Sequence, residues 1–201
     1  KLGSLYKFLT AVNFSSEEKV LNYEIIKKCG ELTQEITLIH TTESQIAEKI
    51  NQREYKKALS IYNSLLEFFP NSILEISSHR VNGTGPYSAT WAARSYGFAK
   101  LEKIPTILSN SVRYHLPKAA PIADILDSAR SLLPLSKKTV IRKNDEGYLK
   151  NYNQMELVAN EVARLAGERS GQALLENTQT VAENHLLSTR VDIGIGGVHL
   201  P

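Results

Sequence analysis

Apolar residues recur at helical spacing along most of this chain and form short unbroken runs at three places. Ser4 can cap a helix running to about Val12. Ser15-Ser16-Glu17-Glu18 is a second start signal, with Val20, Leu21, Ile25 and Ile26 on one face and Gly30 past the end. Residues 36–40 are short and β-branched, which predicts a strand. A short helix is expected over 43–50. A longer one is expected over 54–69, with Ala58, Ile61, Leu65, Leu66 and Phe69 on one face and Pro70 as its stop. Residues 72–76 predict the second strand. Asn82, Gly83, Gly85 and Pro86 mark a loop, and Ser88 caps a helix through Lys100. The third strand is 106–108. Strands alternating with helices over connections of this length predict βαβ units, a parallel sheet and an α/β fold.

Beyond Asn110 the pattern changes. Pro121 sits in the first turn of a helix over 121–132, where its missing N–H costs little. Residues 136–148 are polar and basic. Helices are expected over 153–166 and 171–184, joined around Gly167, and a Gly-rich stretch covers 191–197. The expected boundary lies near Ser136. Part of a (β/α) barrel with parallel strands occupies 1–135, and a helical connector occupies 136–201.

Composition narrows this little. Hydrophobic content of 42% and charged content of 22% are ordinary for a globular protein. A net charge of +3 neither demands nor opposes a nucleic-acid partner. The single cysteine, Cys29, excludes an internal disulfide framework and fits a cytoplasmic setting. No apolar run approaches the roughly 18 residues of a membrane span, so no membrane partner is expected. There is no signal-peptide core, and the chain starts at Lys1 rather than Met, as a fragment would.

The third strand breaks into a dense polar run: Ser109, Asn110, Ser111, Arg113, Tyr114, His115. Sites in α/β folds are built at such strand ends. Glu75 and His79 occupy the end of the second strand. In a parallel sheet both ends face the same side, so Glu75, His79, Ser111 and Arg113 are expected to converge. A carboxylate and an imidazole suit zinc or manganese at about 2 Å. Ser111 is a poor ligand, and Arg113 is permanently protonated and would repel a dication. No metal is therefore expected. Arg113 is expected to stand in for one, as a cationic fork between the remaining acceptors.

Other candidates carry less. His40 reads as a packing residue, His115 as surface, His185 as a favourable charge at a helix end, and His199 as part of a linker. Cys29 has no matched base and reads as core. Gly83-Thr84-Gly85 lacks the Gly-Lys-Ser/Thr of a P-loop, and no helix follows Gly194-Ile195-Gly196-Gly197. There is no G-x-S-x-G and no D-x-D carboxylate pair. Lys137, Lys138, Arg142 and Lys143, with Tyr148 and Tyr152 nearby, could contact phosphates. They equally suit a solvated connector, because Asp145 and Glu146 interrupt the run.

Seven segments occur in order: Gly3-Ser4-Leu5-Tyr6-Lys7-Phe8-Leu9; Ser72-Ile73-Leu74-Glu75-Ile76 with His79; Ser109-Asn110-Ser111-Val112-Arg113; DILDSARSLLPL at 124–135; Glu146-Gly147-Tyr148-Leu149-Lys150 with Met155; ALLENTQTVAE at 173–183; and Val198-His199-Leu200-Pro201. Together they resemble the PHP (polymerase and histidinol phosphatase) domain of bacterial family C DNA polymerases and its lead into the palm. The 124–135 run is most similar to the error-prone branch. In that family the third segment ends in a pattern near T-N-D-x-H, and positions matching His79, Ser111 and Arg113 are metal-ligand positions in active PHP domains. The family's leading H-x-H strand has no counterpart here.

The resemblance implies a parent that synthesises DNA on a template, in replication, repair or damage tolerance. Its magnesium-dependent nucleotidyl transfer would be carried elsewhere, and its partners would be DNA and the rest of the polymerase chain. This piece would be a scaffold with a degenerate metal site, without catalytic residues or a cofactor of its own. The alternatives are a PHP-type metal-dependent phosphoesterase or exonuclease, and a stand-alone binding module built on the basic connector.

Overall fold

The computed structural model describes residues 2–15, 23–130, 132 and 144–185. Three strands, β1 (Thr37–His40), β2 (Asn71–Ser77) and β3 (Thr106–Ser109), form a parallel sheet in that order. His40 pairs with Leu74, and Ser77 with Ser109. The helices are α1 (Leu2–Ser15), α2 (Tyr23–Lys28), α3 (Gly30–Thr33), α4 (Gln45–Asn51), α5 (Tyr55–Leu66), α6 (Ala89–Leu101), α7 (Ala120–Arg130), α8 (Tyr152–Leu165) and α9 (Gln172–His185). A single 3₁₀ turn, Pro117–Ala119, leads into α7. The parallel α/β class is as expected.

Local chemistry explains the helix starts. Ser44 and Ser88 each accept a backbone N–H of the first turn, at 3.3 and 3.1 Å. Asn151 and Gln154 form a reciprocal capping box at α8. The predicted helix over 54–69 ends earlier, at Leu66. Pro70 disfavours helical backbone in the residue before it. Phe69 instead turns inward, edge-on to Phe8 at 5.9 Å, in a small core with Ile25, Ile26 and Cys29.

The main core draws on both parts that the sequence separates. Leu74 and Ile76 of β2 and Leu108 of β3 share one buried cluster with Val158, Ala159, Val162 and Ala163 of α8 and Leu174 of α9. Each buried leucine, isoleucine or valine among them contributes about 1.5–3 kcal/mol, and each alanine less. Helices α8 and α9 meet tightly at Gly171, where any Cβ would overlap the Ala159 backbone. Helix α9 also crosses β3. The Thr178 hydroxyl accepts the Leu108 N–H at 2.7 Å, a backbone donor that β2 does not take. The Ser136 boundary, the helix start at 16–22, the Gly-rich stretch and the tail lie outside the described residues. Among the described residues, no helix is long and apolar enough to cross a membrane.

Candidate functional site at the strand ends

The carboxyl ends of β2 and β3 carry the predicted residues on one side of the sheet. Glu75 is half-buried in β2, and its Oε2 accepts the Thr42 N–H at 3.1 Å, just beyond β1. Two residues on, the Ser77 and Ser111 hydroxyls are 3.5 Å apart. Ser111 holds a left-handed backbone, φ 43°, and its N–H is taken by the Ser109 hydroxyl at 2.9 Å.

His79 lies just past β2 with its ring stacked on Tyr87, centroids 4.6 Å apart. Its Nε2 is 2.8 Å from the Asn110 carbonyl. A carbonyl only accepts, so Nε2 carries the proton and donates. Burial lowers the pKa of His79, with Lys150 adding to the effect; the Asn110 bond and the charges of Glu146 and Glu75 oppose it. Burial also raises the Tyr87 phenol, helped by Glu43 and Glu75 and opposed by a hydrogen bond with Ser111 and by Arg113. Tyr87 is thus the side chain that feels Glu75, Ser111 and Arg113 together. Nothing in the sequence singles it out.

A second network locks residues 144–150 onto the same end. Asn110 is buried, and its amide donates to Glu146 O at 2.9 Å and Tyr148 O at 2.6 Å. Lys150, with a side chain only 2% exposed, donates to Asn110 Oδ1, to Glu146 O and to the Glu146 carboxylate, and lies over the Tyr148 ring. Asn144 donates to His79 O at 2.6 Å. The Arg113 N–H goes to Gly147 O and the Leu149 N–H to Tyr114 O, so the chain beyond β3 runs parallel to 147–149, with Tyr114 bridging Tyr148. Val112, Tyr114 and Leu116 alternate with Arg113 and His115, a strand-like pattern, but nothing in the sequence names 147–149 as its partner.

The expected role of Arg113 is corrected by its partner. Its Nη2 meets Asp127 of α7 at 2.7 Å, and the side chain is 54% exposed. It makes neither an ion pair nor a hydrogen bond with Glu75. It ties α7 to the strand end from outside rather than replacing a metal at the centre.

A divalent metal does not fit these residues. Glu75 Oε2 and His79 Nε2 already serve backbone groups, Ser111 is a neutral hydroxyl, and Arg113 brings positive charge. Among the described residues no three His, Cys, Asp or Glu side chains are grouped as ligands. His40 is buried against Tyr62 with its Nε2 unpartnered, His115 is exposed, and His185 bonds Val181 O and Thr37 Oγ1. Lys137, Lys138, Arg142 and Lys143 lie outside the described residues.

No family model and no curated protein matches the chain.

Proposed function

We propose that this chain is the later part of a PHP-type domain with its connector, from a bacterial family C DNA polymerase most like the error-prone type, and that it acts as a non-catalytic scaffold. One observation carries the proposal. Segments singled out by the resemblance, separated by tens of residues, meet in one network. Glu75 and His79 come from the second segment, Asn110, Ser111 and Arg113 from the third, and Glu146, Gly147, Tyr148 and Lys150 from the fifth. His79 bonds Asn110, Asn110 bonds Glu146 and Tyr148, and Lys150 closes the loop back to Asn110. A parallel sheet by itself brings the second and third segments together; the return of the fifth segment onto them is what the resemblance adds.

The scaffold role is supported by how the polar groups are used. Each predicted ligand position is occupied by a group that binds protein or repels cations. In an active hydrolytic site the same positions would present free lone pairs to a metal. A PHP-type phosphoesterase needs a carboxylate at Ser111 and an imidazole at Arg113.

The test is calorimetric titration of zinc and manganese into the wild type and into Ser111→Asp/Arg113→His. The left-handed backbone at position 111 suits aspartate, one of the few residues that tolerates it. The wild type is expected to bind no stoichiometric metal, and the double variant to bind more tightly than either single variant. One tightly bound equivalent in the wild type would overturn the proposal.

A further inference from the structure

Away from the strand ends, α6, the start of α5 and the end of α8 enclose an open groove of about 520 Å³. Tyr55, Arg94, Gly97, Phe98, Leu101 and Leu165 line it. Three of these apolar side chains face solvent: Leu101 is 82% exposed, Leu165 46% and Tyr55 43%. Tyr55 and Phe98 stack on one another at 5.8 Å, which makes one wall flat and rigid.

Gly97 gives the groove its meaning. It lies inside α6 with an ordinary negative φ, and a Cβ built on it meets nothing within 4 Å. The fold therefore does not require glycine there, and helix propensity opposes it. Glycine at such a place lets another backbone approach closely. Thr90, Arg94, Gly97 and Leu101 follow one another at spacings of four, three and four. All four line the groove, at the spacing of the positions that one helix presents to another.

The charges select the kind of helix. Arg94 uses Nη1 to hold Asn51 O and Oδ1, at 3.0 and 3.3 Å. Its other two nitrogens have no protein partner among the described residues. Arg53, Lys56, Lys103 and Arg164 are exposed, stand within two positions of a lining residue, and join no ion pair among the described residues. Against them stands Glu102. By contrast, Lys49 and Lys57 neutralise Glu54, and Lys100 neutralises Glu168. We infer that the α6 groove is a docking site for an acidic amphipathic helix, with leucine-type anchors on Leu101, Leu165 and the Tyr55–Phe98 wall, its backbone close over Gly97, and a carboxylate on Arg94. An apolar floor with a basic rim suits such a helix better than a nucleic-acid strand, whose phosphates would find only the rim.

The probe is a fluorescein-labelled helical peptide of about 14 residues, four turns, with leucines at the seam positions and glutamates beside them. Fluorescence anisotropy follows its binding to the protein. The expected dissociation constant is on the order of 10 µM, at least about tenfold tighter than for the same peptide with lysine in place of glutamate. Gly97→Leu should weaken binding at least about tenfold by filling the crossing point, with the circular dichroism spectrum kept and the melting temperature equal or higher, because leucine is the better helix former. Leu101→Glu touches no core residue and should weaken it similarly. Equal affinity for the two peptides, or unchanged affinity in Leu101→Glu, would overturn the inference. So would binding of an oligothymidylate that Gly97→Leu and Leu101→Glu both abolish, because a nucleic acid would then be the occupant.

Discussion

Lys150 Nζ lies 3.0 Å from Asn110 Oδ1, although 40 residues separate the two in sequence. That bond closes a network in which a buried lysine, a buried asparagine and the Glu146 carboxylate satisfy one another. Neutral Asn110 can present its carbonyl oxygen to Lys150 and its amide to two carbonyls at once, a division of labour no carboxylate could perform.

Replacing Asn110 by alanine should therefore cost more than its size suggests. Glu146 O and Tyr148 O each lose a donor, and Lys150 loses one of its acceptors while remaining buried. The expected loss is about 2–4 kcal/mol. For a protein of this size that lowers the melting temperature by roughly 5–12 °C. Differential scanning calorimetry checks it. A change within about 1 °C, far below that scale, would show that the network adds nothing.

Arg113→Ala should behave oppositely. An ion pair whose arginine is 54% exposed and whose aspartate is 29% exposed is screened by water and salt. The expected loss is under about 1 kcal/mol. A double-mutant cycle with Asp127→Asn measures the coupling, which should shrink as salt is added.

Acid sensitivity should centre on His40. Burial holds its pKa at about 4, and its Nε2 has no partner to stabilise a proton. The unfolded chain takes up that proton near pH 6.5 while the folded chain refuses it until about pH 4. His40 therefore disfavours the folded state increasingly as pH falls through this window, and its effect vanishes above it. The total swing is on the order of 3 kcal/mol. The depressed His79 adds in the same direction. Denaturant midpoints measured from pH 4 to 7 should rise with pH in the wild type and rise less steeply in His40→Phe.

Two glycines should respond oppositely to alanine. Gly97→Ala meets open space in a helix and should stabilise by about 0.5–1 kcal/mol. Gly171→Ala drives a methyl into the Ala159 backbone where α8 and α9 touch, and should destabilise by about 1–3 kcal/mol or more. Thermal melts of the two variants, side by side, decide both.

Much of the fold was legible because local chemistry dictated it. Ser88 caps α6 as read, and the three strands stand within two residues of the β-branched runs that mark them, whereas Ser4, read as a cap, lies inside α1, and the caps at Ser44 and Asn151 were not singled out. Pro70 marked a real stop, but its reach back to Phe69 depends on a tertiary contact with Phe8 that the local pattern does not contain. What the sequence foretold at the strand ends was placement, not wiring. Glu75, His79, Ser111 and Arg113 stand at one end of the sheet, as parallel strands require. The Arg113 partner is Asp127, fixed by where α7 docks, and Tyr87 and Lys150 enter through loops whose path no periodicity encodes. Nor does the sequence show that segments on either side of the expected boundary share one core. Val158 and Leu174 reach Leu108 only after the chain has folded back.

The scaffold proposal meets its most direct test on a single gel. An end-labelled primer annealed to a longer template is incubated with magnesium and the full-length protein that carries this chain, with and without deoxynucleotides. The expected result is a primer that lengthens when nucleotides are present and keeps its length when they are absent. Failure to lengthen would contradict the polymerase assignment. Shortening in the absence of nucleotides, stopped by chelator and lost in Glu75→Ala, would contradict the scaffold role and place a working hydrolytic metal site at the strand ends.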